Sequence, residues 1–181
     1  MAAVTACLVR AKTVVTCDAD VAQDGVTFDD LGRIDDAALV VVGDRIAALG
    51  QRAEIEASLR GREVVEVDLR DCVIFPGFVD AHAHPLFAGD REPDFAAKLR
   101  GEAPPLGMLY TVERTRDALL DPNAFYAHTI RPRLRVILEH GTTTLETKTG
   151  YALHAPGETA LLDLIAAHRD DAGVPHLVST F

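Results

Sequence analysis

The segment Asp80-Ala81-His82-Ala83-His84 carries the strongest chemical signal in the chain. Residues two apart on a strand project to one face. In an extended segment, His82 and His84 can therefore offer two imidazole nitrogens to a single ion. Imidazole is a good ligand for zinc and related metals. A bare pair of histidines is equally well explained as polar loop residues. The preceding Pro76-Gly77-Phe78-Val79-Asp80 favours metal binding, because it supplies an apolar strand ending at the pair. Just beyond lies Phe87-Ala88-Gly89-Asp90-Arg91. Gly89 permits a backbone bend close to a ligand. Arg91 presents a planar fork that suits a carboxylate through two parallel hydrogen bonds. An isolated arginine is usually a surface residue, but this one follows the histidines closely enough to share a pocket. A third segment is Glu146-Thr147-Lys148-Thr149-Gly150-Tyr151. The Tyr151 hydroxyl can donate to a substrate, against the commoner role of simple packing. Lys148 is expected to be an ion-pair partner rather than a carboxylated, metal-bridging lysine.

These residues need strands that end together. The run from Val73 breaks at Pro76-Gly77, and its second half reads as a buried strand. Asp121-Pro122 reads as a helix cap followed by a proline at the first helical position. That helix should run to about His140 and close at Gly141, with Ile130, Leu134, Ile137 and Leu138 on one face. Pro132 inside it should kink or split it. Thr142 to Thr147 is a β-branched strand, Glu158 to Arg169 a second amphipathic helix, and His176 to Phe181 a last strand. Strand–helix–strand units with short joints imply parallel strands and right-handed crossovers.

Residues 1–72 read differently, as short strands and turns. Ala6–Val15, Ala38–Val42, Arg45–Leu49 and Val64–Leu69 are candidate strands. Gly43-Asp44 is a tight hairpin turn. Ala53–Leu59 is a short helix closed by Gly61, and the acidic stretch Asp18–Asp36 an excursion loop. The expected architecture is α/β: a small β-sandwich over 1–72, then over 73–181 the first strands of an incomplete (β/α)8 barrel. A whole barrel takes roughly 250 residues, and the chain has 181. Phe181 falls within an apolar strand, so the chain is expected to be the front part of a longer protein.

A hydrophobic fraction of 48% allows a core, and the absence of Trp makes that core aliphatic. A net charge of −10 gives the chain no electrostatic reason to bind nucleic acid or an anionic membrane. The three cysteines, Cys7, Cys17 and Cys72, form no C-x-x-C motif, which excludes a disulfide framework and points to a reducing cytoplasm. No signal peptide or membrane-spanning run stands out. Subunit number is left open, a homodimer included.

Pro76 to His84 resembles the metal-binding first barrel strand of the amidohydrolase superfamily. Two further blocks narrow the likeness. Phe87-Ala88-Gly89-Asp90-Arg91-Glu92 is similar to the segment after the histidines in the imidazolonepropionase family. His140 to Thr144 with Glu146 to Tyr151 is similar to that family's second-strand block, and Val178 to Phe181 to its third-strand ending. The resemblance implies His82 and His84 as ligands of one zinc or iron ion. It implies Arg91 and Tyr151 as substrate contacts. The implied reaction hydrolyses 4-imidazolone-5-propanoate to N-formimidoyl-L-glutamate, in histidine degradation. Further metal ligands and the acid–base residues would lie beyond Phe181, so the 181 residues alone are expected to be inactive. The chain departs from the family at Gly101-Glu102-Ala103-Pro104, where a substrate-contacting Tyr is replaced by Pro104, with Tyr110 the nearest substitute. Two alternatives follow: an amidohydrolase acting on a different small ring, or a non-catalytic remnant serving as an interaction module.

Overall fold

The computed structural model describes residues 5–17 and 31–181. They divide into two compact units, Met1–Pro76 and Gly77–Phe181. The first extends past the boundary expected at residue 72, because its last strand continues to Ile74 in register with Val14.

The first unit is a four-stranded sheet. β1 (Ala6–Val15) lies between β2 (Arg33–Val42) and β4 (Val64–Ile74), and β3 (Arg45–Gln51) pairs with the outer side of β2. β1 pairs antiparallel to β2 and parallel to β4. Gly43-Asp44 makes the β2–β3 hairpin turn, with Gly43 at φ 63°. α1 (Arg52–Ser58) lays Ile55 on one face, against Leu8, Ala38 and Val40. Ala11, Val14, Ala37 and Leu39 form the cluster on the other face. The switch of parity between Leu8 and Val14 follows an irregularity between Ala11 and Thr13, where one residue more is used. A second sheet facing this one is not among the described residues. The loop expected over 18–36 needs correction at its end. Arg33–Asp36 already belongs to β2, with Thr13 opposite Asp35. Its acidic residues hide a strand whose carboxylates are paired: the Thr13 hydroxyl donates to Asp35, and Arg52 binds Asp36. Residues 18–30 of that loop lie outside the described residues. All three cysteines are free thiols.

The second unit is built on three parallel strands in the order β5 (Phe78–Ala83), β6 (Thr142–Lys148), β7 (His176–Thr180). Helices α2 (Glu92–Leu99) and α3 (Gly107–Ala118) follow β5. A continuous helical run then leads to β6: α4 (Pro122–Phe125), a π turn (Tyr126–Ile130) and α5 (Arg131–Glu139). Asp121 caps it by accepting the Ala124 N–H at 3.0 Å. Pro132 falls in the first turn of α5, just past the π turn, so the ladder is interrupted where the proline cannot donate. Gly141, at φ 95°, ends the run, and its carbonyl accepts the Phe78 N–H at 2.8 Å. α6 (Ala155–Ala167) covers β6 and β7, with Leu145, Leu177, Leu134, Ile130, Leu161 and Ile165 forming an aliphatic core. No helix among the described residues is long and apolar enough to cross a membrane.

Two local contacts make testable demands on this unit. A Cβ at Gly77 would lie 2.1 Å from Thr143 Oγ1 and 2.7 Å from Thr143 Cβ. The hydroxyl can rotate away, but the Cβ cannot. Gly77→Ala should therefore prise β5 from β6 and cost about 1–3 kcal/mol, as overpacking does. A urea midpoint that stays where it was would show that the strands separate freely here.

The second contact joins the π turn to the α6–β7 connection. Tyr126 donates its hydroxyl to Asp171 Oδ2 at 2.8 Å, and His168 Nδ1 contacts the same oxygen at 2.9 Å. The Tyr126 and His168 rings stack with centroids 3.4 Å apart. The Tyr126 hydroxyl, ahead of His168, holds the Asp171 carboxyl below its ordinary range. Burial, then the Asp171 contact, raises the Tyr126 phenol above its own. A depressed carboxyl stabilises the fold above its unfolded pKa of about 3.9, and that stability is lost as pH falls through the folded value. A raised phenol stabilises below its unfolded pKa of about 10, and that contribution is lost above it. Stability should thus fall on both sides of a plateau between roughly pH 4 and pH 10. Asp171→Asn should shallow the acid limb, as read from melting temperature against pH.

Candidate functional site

β5 brings His82 and His84 to one side at its C-terminal end. Their rings meet edge to face, with centroids 5.0 Å apart and planes at 87°. The strand positions them because Val79 and Asp80 pair with β6 while the register loosens between Asp80 and Ala83. The neighbouring end of β6 supplies Glu146, whose Oε2 lies 3.3 Å from His82 Nδ1. The Thr180 hydroxyl on β7, ahead of His82, holds the Glu146 carboxyl below its ordinary range. With Nδ1 turned to Glu146, the free nitrogen of His82 is Nε2. His84 Nδ1 is buried with no hydrogen-bond partner, an arrangement that costs free energy unless something binds there. The imidazole donors thus fit two positions of a metal site. Among the described residues no group of three or more His, Cys, Asp or Glu is placed to hold a metal. A catalytic zinc takes three protein ligands, so the donor set is partial.

Tyr151 follows β6 and turns back over the pair. Its ring lies 5.8 Å from that of His84 and 5.5 Å from that of Phe87, centroid to centroid. Glu158, buried in the first turn of α6, sets this loop by accepting the Ala152 and Leu153 N–H groups at 2.8 and 2.9 Å. Burial pushes its carboxyl up, and the N–H donors outweigh that to hold it low. Lys148 turns elsewhere, donating to the Phe181 main-chain oxygen at 2.9 Å rather than pairing with a carboxylate side chain.

Arg91 and Tyr151 line one open cavity of about 570 Å³, together with Phe87, Gly89, Asp90, Met108, Thr111 and Arg133. Gly89 sits at φ 90°, and a Cβ there would meet the Arg114 side chain at 2.8 Å. Tyr110 packs beside that glycine and is not among the residues lining the cavity. Arg91 Nε donates to Asp94 Oδ2 at 2.8 Å, which leaves its terminal nitrogens toward the cavity. Asp94 is 4% exposed and also accepts the Leu106 and Gly107 N–H groups, at 2.8 and 3.0 Å. Burial raises its carboxyl, and these donors more than reverse the shift. One carboxylate therefore ties Arg91 to the Gly101–Leu106 loop and to the start of α3.

All four residues singled out from the sequence, His82, His84, Arg91 and Tyr151, gather around the β5 and β6 ends. Three supporting residues were not foreseen. Asp94 stands three residues after Arg91 on one helical turn, a spacing that could have marked it. Glu158 and Arg133 carry no such local signal.

No protein-family model matches the chain. Imidazolonepropionase from Cutibacterium acnes is 40% identical over 147 residues, 81% of this chain and 35% of that protein. Imidazolonepropionase from Halobacterium salinarum is 40% identical over 153 residues, 81% of this chain and 36% of its own length. The chain thus spans about a third of the length of the curated relatives it matches. Among solved structures, Escherichia coli guanine deaminase superposes with a TM-score of 0.58 at 20% identity, over 97% of this chain and 36% of that one. A variant of atrazine chlorohydrolase from Arthrobacter aurescens, complexed with zinc and atraton, gives 0.53 at 18% identity, over 97% and 35%. The chain belongs, by sequence, with the imidazolonepropionases of the amidohydrolase superfamily.

Proposed function

We propose that the protein containing this chain is a metal-dependent hydrolase of a cyclic amide. It opens the lactam C–N bond of 4-imidazolone-5-propanoate to give N-formimidoyl-L-glutamate. The three parallel strands are then the opening of a (β/α)8 barrel, whose strand ends collect the chemistry, and the four-stranded sheet is part of a small β-rich domain beside it. A reducing cytoplasm suits the three free thiols.

The observation that carries the proposal is that the histidine pair and Arg91 converge through one residue. Tyr151 contacts the His84 ring and also lines the cavity that holds Arg91. His82 and His84 hold the ion, zinc or iron, by two of its ligands. When bound, the ion supplies a Lewis acid for the carbonyl and lowers the pKa of a water toward neutrality. Arg91 binds the propanoate, fixed in aim by Asp94. Tyr151 lies between and donates its hydroxyl to the ring. The zinc in the chlorohydrolase structure supports a metal-dependent fold here as well. The test is hydrolysis of 4-imidazolone-5-propanoate by the protein as its source makes it, with and without a chelator. Absence of turnover in the metal-loaded protein would remove the substrate.

A second reading is favoured by one feature. Where the family places a substrate-contacting Tyr, Pro104 stands in the Gly101–Leu106 loop, and Tyr110 does not reach the cavity. A different small ring then takes the same site, and parallel assays on hydantoins and simple lactams distinguish the two.

A further inference from the structure

We infer that Arg133 is a second ligand-binding guanidinium of the cavity, forming with Arg91 a paired seat for a carboxylate. The inference rests on reading this cavity as the substrate site.

Arg133 projects from the first turn of α5. Its Nη1 donates to the main-chain carbonyls of Pro85 and Phe87, the latter at 3.1 Å, and its guanidinium lies 4.0 Å from the centre of the Phe87 ring. A guanidinium has five N–H donors, and the two bonds from Nη1 take two. The three on Nε and Nη2 have no partner among the described residues, although Arg133 lines the cavity. The two fixed bonds and the stacked ring hold the plane of the group, so those donors are held in place before a ligand arrives.

Charge separates the two arginines. Arg91 is neutralised by the buried Asp94 carboxylate. Arg133 makes no ion pair with any described carboxylate, and burial works against its charged form. The remaining acid on the cavity wall, Asp90, is exposed and gives an oxygen to the Glu92 N–H at 2.7 Å. Arg133 is therefore the uncompensated positive charge of the cavity. A half-buried cation without a partner is costly, and a carboxylate ligand offsets that cost. Such a group explains why the site would prefer an acid to a neutral molecule of the same shape.

The test uses the whole metal-free chain and two probes that differ in charge but hardly in shape: 3-(imidazol-4-yl)propanoate and its primary amide. Calorimetric titration should show tighter binding of the acid by the wild type. Arg133→Gln keeps N–H donors for the Pro85 and Phe87 carbonyls but carries no charge. It should reduce the acid-to-amide affinity ratio by about tenfold or more, as expected for loss of a charged hydrogen bond. Arg133→Lys keeps the charge without the fork and should reduce the ratio less; should the Gln variant not fold, an unchanged ratio in the Lys variant overturns the inference. A merely structural Arg133 would weaken both probes together and leave the ratio unchanged, which also overturns it. If Arg91→Gln abolishes the ratio while Arg133→Gln spares it, the substrate-site reading stands and the role of Arg133 falls. If the wild type shows no preference for the acid, both fall.

Discussion

His84→Ala is expected to empty the metal site. The wild-type histidine keeps a buried Nδ1 with no hydrogen-bond partner in the protein, and His82 beside it is too exposed to hold an ion by itself, with 62% of its side chain accessible. Removing one of two neighbouring imidazoles takes away a ligand outright. Outer partners that only orient a ligand typically contribute about 10–100-fold in metal affinity, so the loss here should exceed that. Glu146 provides the comparison within the same site. It reaches His82 Nδ1 at 3.3 Å and is read as an orienting carboxylate, so Glu146→Gln should stay within that roughly 10–100-fold range. Competition against a chromogenic chelator, with the protein as its source makes it, measures both. Equal losses for His84→Ala and Glu146→Gln would make Glu146 a ligand itself. Full metal retention in His84→Ala would dismiss the histidine pair as a site.

Arg91→Lys should raise KM far more than it lowers kcat. The guanidinium cannot serve as a base at neutral pH, and its grip on a carboxylate is made in ground state and transition state alike. Such uniform binding appears in KM. Asp94 already occupies Nε, so the two terminal nitrogens are left for the substrate. A lysine has one nitrogen and cannot serve Asp94 and a carboxylate with the same geometry. With about a third of the Arg91 side chain still exposed, the loss should be about 1–3 kcal/mol, or roughly five- to 150-fold in KM. Some fall in kcat would follow if the ring then sat off its position. An unchanged KM for a carboxylate-bearing substrate would turn attention to rings without one.

Much of the architecture was legible because period and punctuation agreed. Ala6–Val15 alternates cleanly, and the strand has those bounds. Thr142–Lys148 announces itself by three successive threonines after a glycine. The histidine pair was legible because a spacing of two on a strand has one geometric meaning. The acidic start of β2 was not, since Asp35 and Asp36 resemble loop until their partners Thr13 and Arg52 are in place. Helices α2 and α3 were not foreseen either. Both are short, begin or end at glycines and prolines, and bury few side chains. Asp94 and Glu158 work by accepting N–H groups from loops 12 and 6 residues away, and tertiary placement of that kind leaves no periodic trace. Arg133 lay inside an amphipathic pattern, where an arginine reads as part of the solvated face.

A single-codon deletion anywhere in Tyr126–Ile130 would be a more drastic change than most substitutions in this unit. The π turn there holds one residue more than an α turn, so the shortened chain could still close an unbroken helix between Asp121 and Gly141. Each residue of an α-helix advances the side chains by about 100°. Either α5 would rotate by that amount and swing Arg133 away from Pro85 and Phe87, or Asp121 would be dragged round and its cap on Ala124 lost. The surplus residue acts as a phase setting: it lets one helix present Tyr126 to Asp171 at one end and Arg133 to the cavity at the other, two directions that a regular helix of this length would not satisfy together.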